Sequence, residues 1–267
     1  MRKQLYILGF FVIALSSCEK VIDVDLNDAE KKFVVEANLA DQPGSALVRL
    51  SQTRNFDEDN DFPGISGATV TIAETGGATY TLTEGNAGEY GHPTLQAISG
   101  KTYTLSVQIN GQTFTSVCST PVAVEIDSLF VTDEILFGEA QKTVNVRFQE
   151  PPGRGQAYRF IQYINDKKEK QILVSNDDYI DGRLVTSKLF YFADEDENEE
   201  PIKSGDDIRV EFLSIDPSVY LYWFSLARSS TGGSQQGTPS NPVSNIEGGA
   251  LGYFSTHCLR TGTLVVP

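Results

Sequence analysis

Histidine, cysteine and basic side chains are all scarce in this sequence, and each scarcity removes a class of chemistry. Lys and Arg number 21 against 36 Asp and Glu, for a formal charge of −15. A deficit of that size denies the chain the cationic stripe that a phosphate backbone requires, so nucleic acid is not an expected partner. It equally denies a basic face for anionic lipid. Two histidines, His92 and His257, are the whole supply of imidazole bases. Neither stands in a recognisable catalytic setting, no Gly-x-Ser-x-Gly elbow occurs, and the βαβ alternation of an α/β-hydrolase is missing. His257 and Cys258 are neighbours on an extended run, which aims them at opposite faces of a strand. The histidines and cysteines show no zinc-ligand spacing. No apolar run reaches the roughly 20 residues that span a bilayer as a helix.

What is present begins with a short apolar run, Leu5 to Leu15, behind Arg2 and Lys3 and ahead of Leu15-Ser16-Ser17-Cys18. Basic n-region, apolar h-region and small residues before a cysteine together make a lipoprotein export signal. Residues 1–17 are the expected signal peptide and Cys18 the expected lipid attachment site. Each buried methylene of an acyl chain adds about 0.8 kcal/mol, so two or three chains hold a water-soluble body on a bilayer. Residues 18–31 read as an acidic tether.

With Cys18 assigned to lipid, Cys118 and Cys258 remain as a pair outside the cytoplasm, where a disulfide is permitted. Two buried free thiols acting as small hydrophobes are the other reading. Among the acidic runs, Asp57, Asp59 and Asp61 offer oxygens to calcium from one loop. The pattern lacks a glycine at the sixth position and a glutamate at the twelfth, so a solvated loop competes with the metal. The run 194–200 reads as solvated too, and no cofactor is expected.

Beyond residue 31 the apolar period is two. Phe33, Val35, Ala37 and Leu39 share one face, as do Val48 and Leu50, then Val70 and Ile72. Tyr103 to Ile109 and Gln112 to Cys118 flank Asn110-Gly111, the dipeptide that suits a type I′ hairpin turn. After Pro121 the strands grow more aromatic: Val144 to Phe148, Tyr158 to Ile164, Ile172 to Val174, Leu189 to Phe192, Ile208 to Phe212, with closing strands at Gly252 to Phe254 and Leu264 to Val266. Asp216-Pro217 opens the one convincing helix, near 217–228, carrying Val219, Tyr220, Trp223 and Leu226. Tyr222 falls off that stripe beside Trp223, and the two are the candidate contacts for a partner or ligand. The polar loop 229–249 is a further contact candidate. The expectation is an all-β protein of two β-sandwich-like domains, 32–120 and 121–267, the second with one short helix.

Several segments also resemble a known family. They include Phe33-Val34-Val35-Glu36-Ala37-Asn38, Ser66-Gly67-Ala68-Thr69-Val70-Thr71-Ile72, Gly100-Lys101-Thr102-Tyr103, Ile126-Asp127-Ser128-Leu129 and Asn241-Pro242-Val243-Ser244-Asn245-Ile246. Together they look like the Bacteroidota lipoproteins labelled domain of unknown function 4249, and the first domain is similar to the transthyretin-like β-sandwich of carboxypeptidase regulatory modules. The resemblance implies an outer-membrane lipoprotein, often found with TonB-dependent transporters, and carries over no catalytic residues. Glu19, Asp23 and Asp25 resemble the acidic signal associated with transfer to the cell surface. The expected function is therefore that of a non-catalytic, lipid-anchored accessory to a TonB-dependent β-barrel. A structural envelope lipoprotein without ligand is the alternative, and a glycan- or peptide-degrading enzyme the third reading.

Overall fold

The computed structural model describes residues 30–55, 58–59, 61–136, 138–193, 200–230 and 240–267. Cys18, the leader and nearly all of the tether lie outside the described residues. In chain order the elements are β1 (Phe33–Ala40), β2 (Ala46–Gln52), β3 (Thr69–Glu74), β4 (Thr79–Thr81), β5 (Thr83–Glu84), β6 (Glu89–His92), β7 (Thr102–Ile109), β8 (Gln112–Ser119), β9 (Ser128–Leu136), β10 (Glu139–Gln149), β11 (Ala157–Ile164), β12 (Lys167–Lys168), β13 (Leu173–Asn176), β14 (Leu184–Leu189), β15 (Asp207–Ile215), α1 (Pro217–Ser230) and β16 (Leu251–Val265). The protein is all-β with one short helix.

The largest sheet runs β12-β11-β15-β16-β1-β2-β6-β5, with β13 also on β11; a four-stranded sheet runs β4-β3-β7-β8 and a three-stranded one β14-β10-β9. Within the large sheet β1 lies parallel to β16, and the other pairs are antiparallel. Residues directly opposite in register share a face. Ala37 lies opposite Phe254 and Leu39 opposite Thr256, while Ser214 lies opposite Cys258 and Phe160 opposite Phe212. One face of the sheet therefore carries the apolar set of both halves of the chain. The four-stranded sheet covers one end of that face, burying Val70, Ile72, Leu105 and Val107 against Val35, Ala37, Leu39, Val48 and Leu50. The three-stranded sheet covers the other, burying Val144, Val146 and Phe148 against Tyr158, Phe160, Val210 and Phe212.

The boundary expected at 120/121 therefore separates the strands that dominate two cores, not two bodies. Lys31–Pro267 is one compact unit. The texture change after Pro121 marks the move to a second covering sheet, and β16 then returns to pair with β1 while Val219, Ile246, Ala250 and Phe254 join the first core. The two closing strands expected at 252–254 and 264–266 are one 15-residue strand, because its centre is buried on both sides. Gly252 makes the parallel pairing possible: its φ is +101°, and a Cβ there would lie 2.0 Å from the Val35 carbonyl oxygen. The Asn110-Gly111 hairpin forms as expected, with φ of 49° and 75°. Of the Leu189–Phe192 run, only Leu189 is in a strand.

Candidate functional site

The other face of the large sheet is built from the alternate residues. Glu36 lies opposite both Tyr253 and Arg49, Asn38 opposite Ser255, and Arg49 opposite Glu89. On β11 and β15 the same parity gives Arg159, Tyr163, Arg209 and Glu211. Across this polar face the Lys168 ammonium of β12 feels the charges of Arg49 and Glu36.

Helix α1 crosses it, and its start is fixed by sequence. Asp216 caps the helix through a hydrogen bond from the Ser218 amide to Oδ1 (2.9 Å), and Pro217 needs no amide partner. The other carboxylate oxygen accepts from the Ser119 amide at 3.2 Å, pinning the helix start to β8. Asn245, described within the long polar loop, hooks that loop down: its side chain donates to the Phe254 carbonyl at 2.8 Å and accepts from the Phe254 amide at 2.9 Å. Residues 231–239 of the loop lie outside the described set.

The helix delivers Trp223 to the sheet. Its indole packs edge-on to Tyr253 (centroids 5.0 Å) and Tyr222 (5.2 Å), and the Arg159 guanidinium carbon stands 3.3 Å from the indole centroid. A cation this close to an indole face is held by the ring quadrupole. Burial depresses the Arg159 guanidinium from its ordinary range while the nearby Tyr253 hydroxyl works the other way. Tyr222 corrects the sequence reading. At 8 % exposure it is buried, with its ring 4.8 Å from Tyr253, and burial lifts its hydroxyl to about 12. Stacking of α1 on the sheet turns inward a residue that the helical stripe alone places outside. Trp223, half-buried, is the member of the pair that lines open space.

That space is a cavity of about 380 Å³ lined by Arg159, Phe160, Ile161, Lys168, Glu169, Lys170, Gln171, Ile172 and Trp223. A second cavity of about 420 Å³ lies where Glu36, Arg49, Phe62 and Glu89 meet. The Lys168 ammonium is lowered from its ordinary range by partial burial and then by the positive charge of Arg159. The sequence reading did not single out Arg159 or Lys168. Two signals were available: a lone cation inside the apolar run Tyr158-Arg159-Phe160-Ile161, and the basic cluster Lys167-Lys168-Glu169-Lys170 in an acidic chain.

The remaining candidates lie elsewhere. Cys118 and Cys258 are buried free thiols, so the expected bridge is not formed. Each sulfur is engaged separately: Cys118 Sγ accepts from the Thr256 amide at 3.3 Å, and Cys258 Sγ donates to the Pro121 carbonyl at 3.3 Å. Burial pushes both thiols up to about 12, which keeps them protonated and poorly nucleophilic. His257 is buried, shares a hydrogen bond with Ser255 Oγ at 3.0 Å, and is driven down to about 4 by desolvation and by Arg159. His92 Nδ1 accepts from the Leu95 amide at 3.1 Å and so closes a turn. Asp57 lies outside the described residues, and among those residues no cluster of three or more His, Cys, Asp or Glu is placed to hold a metal ion. The Asp61 carbonyl accepts from Arg54 at 2.9 Å.

No curated protein matches the chain. One family does, over residues 19–258, from the segment behind Cys18 to the strand that carries Tyr253 and His257. That span takes in most of the large sheet, both covering sheets and the Trp223 helix, and the chain belongs to the family described as domain of unknown function (DUF4249).

Proposed function

We propose that the protein is a lipid-anchored lipoprotein on the surface side of a Bacteroidota outer membrane, acting by binding as an accessory to a TonB-dependent nutrient transporter. Cys18 carries the anchor and residues 18–31 form the tether. The observation that carries the binding reading is the Arg159–Trp223 cavity on the polar face. It has the mixture that ligand sites use, apolar walls with a few converging polar groups, and a volume within their range of about 300–1,000 Å³. Confinement to the membrane raises the local concentration of a weak binder beside a transporter, so modest contacts suffice.

The test is a pull-down from native membranes with wild type and Cys18→Ala. Wild type is expected to fractionate with the outer membrane and recover a large β-barrel, and Cys18→Ala to lose both properties. Recovery of the same barrel by soluble Cys18→Ala at wild-type yield contradicts the role of confinement. Absence of any barrel from the wild-type sample contradicts the accessory role.

A further inference from the structure

We propose that the Arg159–Trp223 cavity binds a small carboxylate whose apolar body lies along the indole and the isoleucines of its wall. This deepens the binding reading above by naming a ligand class, and it stands on side chains that no transport role requires.

The first observation is a desolvated cation, packed on an indole, without a counter-ion. In a chain with 36 acidic and 21 basic residues, carboxylates are the abundant partner. Arg49, Arg54 and Arg209 each hold one, at 2.9, 3.4 and 2.6 Å, and Arg260 holds two, Asp41 at 2.8 Å and Glu125 at 2.5 Å. Arg159 holds none among the described residues. Its ring contact is Trp223, and it lines the cavity, where its N–H donors are available to a ligand. A desolvated guanidinium without a counter-ion is costly, and a carboxylate entering beside it forms the paired, charge-assisted hydrogen bonds that a planar fork favours.

A second cation stands at the same opening. Lys168 also holds no carboxylate among the described residues, and the positive charges of Arg159 and Arg49 bear on it. Two like charges on neighbouring strands at one opening repel, and one anion between them relieves both. Glu211 and Glu36 also act on Lys168, in the opposite sense, and Glu169 is part of the lining. These carboxylates oppose a highly charged anion, so the arrangement suits one carboxylate group rather than a polyphosphate. The third observation is apolar. Ile161, Ile172 and the indole edge give the body of an organic acid something to touch, which inorganic phosphate or sulfate lacks.

Trp223 is the only tryptophan in the chain, so its emission reports the cavity directly. The purified full-length protein, in detergent and without transporter or membrane, is titrated with 4-phenylbutyrate, its amide and inorganic phosphate. The carboxylate is expected to shift the emission saturably. The amide and phosphate should bind at least about tenfold more weakly, since losing one charge-assisted contact removes about 1.5 kcal/mol or more. Lys168→Gln, at an exposed position that the fold does not need, should weaken the carboxylate about tenfold. Arg159→Lys, which keeps charge but loses the fork, should weaken it further. Equal binding of acid and amide, equal binding of phosphate, or full affinity in Lys168→Gln overturns the proposal. Because neither membrane nor barrel is present, a flat titration removes this ligand class and leaves anchoring and partnership to the pull-down.

Discussion

On β11, two sets of alternate residues do different jobs. Tyr158 and Phe160 face the second core, with rings 5.3 and 5.0 Å from Phe212. Arg159, between them, faces the polar side and holds the Trp223 ring. The same division runs along β1, where Val35 and Ala37 are wholly buried while Glu36 and Asn38 contribute to the opposite face. One side of the sheet gathers apolar area and obtains stability from shape. The other gathers charge, hydroxyls and one indole, and is half covered by a helix. Stability and the proposed binding thus reside one residue apart along a single strand.

The sharpest way to break this comparison is on the apolar side. Phe212→Ala empties a site packed by Phe148 at 4.8 Å as well as by Tyr158 and Phe160, and should cost about 3–5 kcal/mol in denaturant unfolding. Gly252→Ala attacks the seam that joins the two halves of the chain, placing a Cβ against the Val35 carbonyl at a φ of +101°. A loss of about 3 kcal/mol and premature proteolysis are expected; a fully stable variant would mean that the β1–β16 pairing is not needed.

The polar side predicts a pH effect. Because desolvation first, and then Arg159, holds His257 near 4 in the fold against 6.5 in the free chain, the unfolded chain takes up the proton as pH falls and the folded one does not. Stability contributed by neutral His257 is therefore complete above about pH 6.5 and lost progressively toward pH 4, on the order of 3 kcal/mol. Unfolding curves across that window should show the fall, and His257→Gln should flatten it. The smallest expected effect is none: with Cys118 and Cys258 both free, reductant should leave the melting temperature unchanged, and the two thiols should react with a disulfide reagent only after unfolding.

How much of this was legible depends on periodicity. The period of two located β1, β2, β3, β7, β8, β10, β11 and β15, because half-buried strands write their burial directly into alternate positions. Asn110-Gly111 and Asp216-Pro217 named the hairpin and the helix start through local backbone chemistry alone. What stayed hidden was long-range. Nothing in Phe33–Ala40 or Leu251–Val265 states that they pair in parallel across more than 200 residues, so two cores on one sheet read as two domains. The site was hidden for the same reason. Alternation marks Arg159 as an outward residue, and only the docking of α1, which brings Trp223 over it, turns that outward position into a cavity wall. Tyr222 failed in the opposite sense, since a helical stripe drawn from sequence does not record what lies on the helix's flank.

The division of labour between the two faces is tested most directly by a cross-over in equilibrium unfolding, with Lys168→Gln and Phe212→Ala each measured with and without saturating 4-phenylbutyrate. A ligand bound to the folded state raises stability by mass action. Lys168→Gln should unfold within about 0.5 kcal/mol of wild type and lose most of the ligand-induced rise, whereas Phe212→Ala should lose several kcal/mol and keep it. Equal damage to stability from both variants, or an undiminished ligand response in Lys168→Gln, would contradict the account.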